Sequence, residues 1–101
     1  MPVTCTALDG EVTALISGEI DHHGARVVME ELDSAIQERL PCRLTLDLSG
    51  VTFMDSSGIA VLIRAKRRMD ALGGAVRAVA IPTQPRRVLD AAGLGRIISL
   101  E

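Results

Sequence analysis

The chain has 101 residues, 48% of them hydrophobic, and a formal net charge of −2, which allows one domain with a modest core and not two. Phe53 is its one aromatic residue, so it lacks the stacking platforms that single-stranded nucleic acids require. The charge gives no general attraction to a phosphate backbone either, which argues against a direct nucleic-acid binder while leaving room for a local basic patch.

Val3 to Leu8 reads as a strand that breaks at Asp9-Gly10, a hairpin signal, and returns as Glu11 to Ser17. Gly18-Glu19-Ile20-Asp21 is expected to turn the chain. From about Gly24 the apolar residues Ala25, Val28, Met29, Leu32, Ala35, Ile36 and Leu40 recur at helical spacing, with Arg26, Glu30, Glu31, Gln37 and Glu38 opposite. Pro41 ends that helix. Arg43 to Leu48 alternates Leu44, Leu46 and Leu48 against Thr45 and Asp47 and predicts a central strand.

After Ser49-Gly50 the stretch from Val51 to Gly58 is expected to be a loop leading into a helix over about Ser57 to Leu72. Ile59, Leu62, Ala65, Met69 and Leu72 form its apolar stripe, and Gly73-Gly74 closes it. Ala75 to Ile81 predicts a further strand. Thr83 is an expected N-cap for a short helix that Gly93 ends, with Leu94 placed for the apolar contact that often follows. Arg96 to Leu100 predicts a last strand. The fold class is α/β: a mixed sheet with helices packed on it, in the order β-β-α-β-α-β-α-β.

The segment Phe53-Met54-Asp55-Ser56-Ser57-Gly58 sets a pair of hydroxyls where a loop becomes a helix. Local physics leaves two roles open. A serine there can cap the helix, and the same free N–H groups and dipole favour a phosphate. Gly58 removes a side chain from the approach. Asp55, with Asp21 close by if the two loops meet, repels a resident anion. That setting suits a phosphate that is added and removed, bringing about −1.5 to −2 charges each time.

Asp21, His22 and His23 carry less. Adjacent histidines seldom face one ion, and no further His or Cys stands at ligand spacing, so no metal site is expected; Asp21 reads as an N-cap. Arg64, Arg67 and Arg68 share a helical face, either solvated or turned to an acidic partner, and Pro85-Arg86-Arg87 adds a smaller basic spot. A serine hydrolase is disfavoured, because Asp-Ser-Ser-Gly is not G-x-S-x-G and only His22 and His23 could serve as bases. There is no G-x-G-x-x-G or Walker loop and no cofactor is expected. Cys5 and Cys42 lack CxxC spacing, and neither a signal peptide nor an apolar run of membrane-spanning length is present. Thiols in such a chain read as reduced, which points to a cytoplasmic protein with no membrane attachment, although spacing alone leaves one disulfide open.

Three stretches resemble the STAS domains. They are Gly18-Glu19-Ile20-Asp21-His22-His23, the run from Asp47 to Val51 continued by Phe53 to Gly58, and Ala92-Gly93-Leu94. The similarity runs nearly from end to end, so that residues 1–101 read as a single STAS domain. It is nearest the anti-sigma factor antagonists of the phosphorylated branch, with the Asp-His-His element leaning toward sporulation. The resemblance implies that Ser56 is the phosphoacceptor and that Asp21, Asp55, Ser56, Ser57, Gly58 and the second helix meet the partner. That partner would be an anti-sigma factor that is itself a serine kinase using ATP, bound in its nucleotide-loaded form. A PP2C-type phosphatase would restore the unphosphorylated protein, which is then a substrate and ligand and not an enzyme. Family members commonly continue into another C-terminal helix, whereas this sequence stops at Glu101. Two other roles within the resemblance are a general-stress antagonist and an accessory subunit of a membrane transport assembly.

Overall fold

Apolar residues fall on alternate positions of the strands, and this period of two builds the core. In the computed structural model, which describes residues 2–101, the elements are β1 (Val3–Leu8), β2 (Glu11–Ile20), α1 (His22–Arg39), β3 (Arg43–Met54), α2 (Ser56–Ala71), β4 (Ala75–Val79), α3 (Thr83–Ala91) and β5 (Ser99–Leu100). A 3-10 turn over Leu94–Arg96 precedes β5. The five strands lie in sequence order, with β1 antiparallel to β2 and the others parallel. β3 is central, as the alternating leucines predict.

Register lines up Val12, Leu44 and Val76 in one row and Ala14, Leu46 and Ala78 in the next, all buried. Beneath the helices they join Ala25, Val28, Leu32 and Ile36 of α1 and Val61, Leu62, Ala65 and Met69 of α2. Each fully buried Leu or Ile contributes about 1.5–3 kcal/mol. The other face of the sheet is mostly open, with Thr13, Leu15, Arg43 and Arg77 exposed. Thr45 is buried on that face because the Arg77 guanidinium lies over it and donates to its hydroxyl at 2.9 Å. Among the described residues no helix is long and apolar enough to cross a membrane.

The strands differ from expectation in length. β2 does not turn at Gly18 and β3 does not stop at Leu48; they stay paired to Ile20 and Met54 through two register shifts. Each shift gives β3 one residue more than β2, as in a β-bulge. Gly18 takes a left-handed φ of 91° there, and a β-carbon on Gly50 would lie 2.8 Å from that of Ser17. The glycines read as breaks are therefore devices for continuing the ladder. β4 ends at Val79 and not Ile81, because Ala80 is left-handed at φ 54°. Pro82, not Thr83, occupies the N-cap of α3, with no side-chain cap bond. The last strand is cut to Ser99–Leu100 by the 3-10 turn. Leu40 and Leu72, expected in apolar stripes, are helix caps and exposed.

α1 and α2 are also joined by charge. Asp33 of α1 accepts from Arg64 at 2.7 and 2.9 Å and from Arg68 at 3.1 Å. Two of the three arginines of the expected basic patch are thus engaged within the fold, and Arg67 remains exposed. Burial alone would raise the Asp33 pKa, but hydrogen bonds and charge from Arg64 and Arg68 outweigh it and hold the carboxyl below its ordinary value. A lowered folded-state pKa stabilises above the unfolded value, about 3.9, and that contribution fades as pH falls through the folded one. Asp33→Asn should be less stable than wild type at pH 7, and the gap should close in acid below about pH 4. Urea melts across that range test this; a gap unchanged at pH 3 would contradict it.

Candidate functional site

Ile20 and Met54 are paired in register, so β2 and β3 end at one level of the sheet. The next residue in each strand is an aspartate and the next element in each case a helix. Asp21 caps α1, its Oδ1 accepting from the Gly24 N–H at 2.8 Å. Asp55 caps α2, its Oδ1 accepting from the Ser57 N–H at 2.8 Å. The Asp55 N–H donates to the Ile20 carbonyl at 3.2 Å, stitching one turn to the other. The Ser56 and Asp21 loops therefore share one end of the sheet, as expected if both follow parallel strands.

The two turns have the same form, a strand, a capping aspartate and a helix whose third residue is glycine. Gly24 leaves no room for a β-carbon, which would collide with the Glu19 carbonyl oxygen. Gly58 is buried, and the Met54 side chain fills the space its own side chain would need. Both helices consequently start tight against the strand ends.

The cap is the carboxylate of Asp55 and not a serine, so α2 begins at Ser56, one residue earlier than expected. Ser56 is its first residue and exposed, while Ser57 is half-buried with its N–H on Asp55. The Gly58 N–H is engaged by the Asp55 carbonyl at 3.0 Å. With those amides occupied, the hydroxyl of the exposed Ser56 has no capping task. Phe53, the lone aromatic residue, is 42% exposed just before the turn. His22 and His23 are exposed in the first turn of α1, and the described residues hold no group of side chains arranged to bind a metal. Cys5 and Cys42 are free thiols, and burial, the largest influence, pushes the Cys5 thiol up.

One residue of the site could not be found by reading the chain. Gln84 of α3 bonds the Met54 backbone twice, accepting from its N–H at 2.8 Å and donating to its carbonyl at 2.7 Å. The contact spans 30 positions, and no local pattern announces it.

Removing the α2 cap should be felt locally. Asp55→Ala should cost about 0.5–2 kcal/mol in a denaturant melt and speed exchange of the Ser57 amide, whereas Asp55→Asn should retain most of both. Equal losses in the two variants would contradict the capping role.

Comparison with known proteins agrees with this geometry. The family model described as "STAS domain" matches residues 6–101. An anti-sigma F factor antagonist of Paenibacillus polymyxa is 33% identical over 91 residues, 90% of this chain and 78% of that protein. The anti-sigma-B factor antagonist of Bacillus subtilis (strain 168) is 27% identical over 92 residues, 91% and 83% of the respective chains. The solved structure of the anti-sigma factor antagonist SpoIIAA in its unphosphorylated form superposes with a TM-score of 0.81 at 22% identity, covering 98% of this chain and 87% of the other, and shows the shared fold. A β-β-α-β-α-β-α-β chain with paired aspartate-capped helix starts, matched over nearly its whole length by that family, belongs to the STAS domain proteins and is an anti-sigma factor antagonist by its relatives.

Proposed function

We propose that this antagonist is a phosphoswitch, a single domain over residues 1–101 acting in the cytoplasm. Unphosphorylated, it binds an anti-sigma factor that is a serine kinase in its nucleotide-bound form, and the sigma factor is set free. The kinase then transfers phosphate to Ser56. The Ser56 Oγ–phosphorus bond forms as the bond from the γ-phosphorus to the bridging oxygen breaks; ADP leaves, and the hydroxyl proton passes to a base on the kinase. A PP2C-type phosphatase reverses the change by hydrolysis, releasing inorganic phosphate. The protein is substrate and ligand in this cycle, not catalyst.

The observation that carries this reading is the exposure of Ser56 at the start of α2, freed from capping by Asp55. Asp21, Asp55, Ser56 and Ser57 form the contact surface with the partner, the buried Gly58 shapes it from beneath by admitting the Met54 side chain, and the exposed Phe53 adds an apolar anchor. A phosphate there meets two nearby carboxylates and few free amides, so the domain itself gains little from it. The opposing surface of the partner, fitted to a neutral hydroxyl, must instead accept about −1.5 to −2 charges. Like charges brought together at an interface cost several kcal/mol, and each 1.4 kcal/mol is tenfold in affinity. Sporulation is the favoured pathway over general stress, supported by the Asp21-His22-His23 element and by the higher identity to the anti-sigma F antagonist.

Ser56→Ala should bind the cognate kinase and gain no phosphate, with mass spectrometry placing the wild-type modification on Ser56. Ser56→Asp should bind at least tenfold more weakly while melting within a few degrees of wild type. Phosphate on Ser57, or a Ser56→Asp protein that binds normally, would count against the reading.

A further inference from the structure

Met54 stands where the sheet has run out on one side. β4 pairs with β3 only from Arg43 to Asp47, and the left-handed Ala80 then turns the chain toward α3. From Leu48 onward β3 has β2 along one edge and no strand along the other. Each residue of a strand next to a parallel neighbour aims its N–H and carbonyl at one edge, and the next residue aims at the opposite one. The Asp55 N–H goes to Ile20, on the β2 edge, so Met54 aims both its groups at the edge without a strand. Buried or half-buried backbone groups need partners. The Gln84 amide supplies both, at 2.7 and 2.8 Å. A carboxamide carries a donor and an acceptor in one plane, as a peptide group does, and it acts here as one rung of a missing strand.

We propose that Gln84 is a positioning residue for phosphorylation of Ser56. It rests on the phosphoswitch reading above. The clamped residue is two positions before Ser56, with the Asp55 cap between them, and the Met54 side chain packs over Gly58. Fixing the Met54 peptide groups therefore fixes the direction in which the chain enters α2 and the direction of the acceptor hydroxyl. Gln84 touches neither phosphate nor kinase in this role. Its loss leaves the contact surface intact but lets the hydroxyl wander, and small misplacements of a reacting atom slow transfer steeply.

The experiment has two arms. In the free protein, backbone amide exchange measured by NMR reads the clamp without any partner. Gln84→Ala should speed Met54 exchange about tenfold, the effect of losing one net hydrogen bond, while Leu46 and Ala78 in the paired part of the sheet stay as in wild type. Gln84→Glu preserves side-chain volume and so serves even if Gln84→Ala folds poorly. Its carboxylate can accept from the Met54 N–H but has no proton for the Met54 carbonyl. Its second carboxylate oxygen would face the Met54 carbonyl oxygen and repel it, which pushes the side chain off both Met54 groups. Compared with wild type at each pH, the Met54 amide should therefore exchange fast at neutral pH and approach wild type as the carboxyl protonates, around pH 4–5. A side chain that merely filled space would show no such pH dependence. In the second arm, the cognate anti-sigma kinase and ATP should phosphorylate Gln84→Ala with kcat about tenfold lower and KM within about twofold of wild type. Wild-type exchange at Met54, or wild-type kcat, overturns the proposal. If the wild-type protein takes no phosphate on Ser56, the phosphoswitch reading falls and the positioning role with it, whereas a clamp seen by exchange alongside normal kcat sinks only the positioning role.

Discussion

The pairing of Ile20 with Met54 is the contact on which the rest depends. Two parallel strands separated by a helix end at the same level only if their registers are held to the last residue. Here that requires two bulges, with Gly18 in a left-handed conformation and Gly50 pressed against Ser17. Once the strands end together, Asp21 and Asp55 fall side by side as helix caps, and Ser56 is the first residue beyond. The proposed regulatory surface is in this sense the end of a β-ladder. A shift of one residue in the ladder would move the aspartates apart and turn the adjoining side chains to the opposite face of the sheet.

That geometry separates two tasks usually shared by one serine. At a helix start a hydroxyl often satisfies the free backbone N–H groups. Asp55 has taken that work, and Asp21 does the same for the neighbouring helix. Ser56 is left with no structural obligation, so a group can be added to it and removed without taking a cap from α2. A charge near a helix N-terminus changes stability by about 0.3–1 kcal/mol, small against the 5–15 kcal/mol that typically holds such a domain together. In the proposed switch, the energetic effect of a phosphate on Ser56 would thus fall on the interface and not on the fold.

Much of this was legible in the sequence where the signal is local. The period-two leucines of β3 gave the central strand, the Asp9-Gly10 turn gave the hairpin, and the order of elements followed from the change between periods. The Asp-Ser-Ser-Gly stretch identified the candidate loop. Three of the failures have one cause in common, since each depended on a contact distant in sequence. Gly18 and Ser49-Gly50 look like breaks until the partner strand is known to lie against them. Arg64 and Arg68 look like a free basic face until Asp33 is seen between them. Gln84 looks like an ordinary first-turn residue until β4 is found to stop short of Met54. The choice of Asp55 over a serine as cap could have been read from either residue type, as both are good caps, and only the geometry decides.

The central claim is that phosphate on Ser56 acts at the surface and leaves the domain as it is. The most direct measurement is a comparison of amide NMR spectra of the protein before and after phosphorylation. The account predicts shifts confined to the turns around Asp21 and Asp55 and the first turns of α1 and α2, with the rows through Leu44, Leu46, Val76 and Ala78 unmoved. Shifts spread through the β3–β4 rows and the Asp33 clamp would contradict it, because they would mean that the switch works by reshaping the fold.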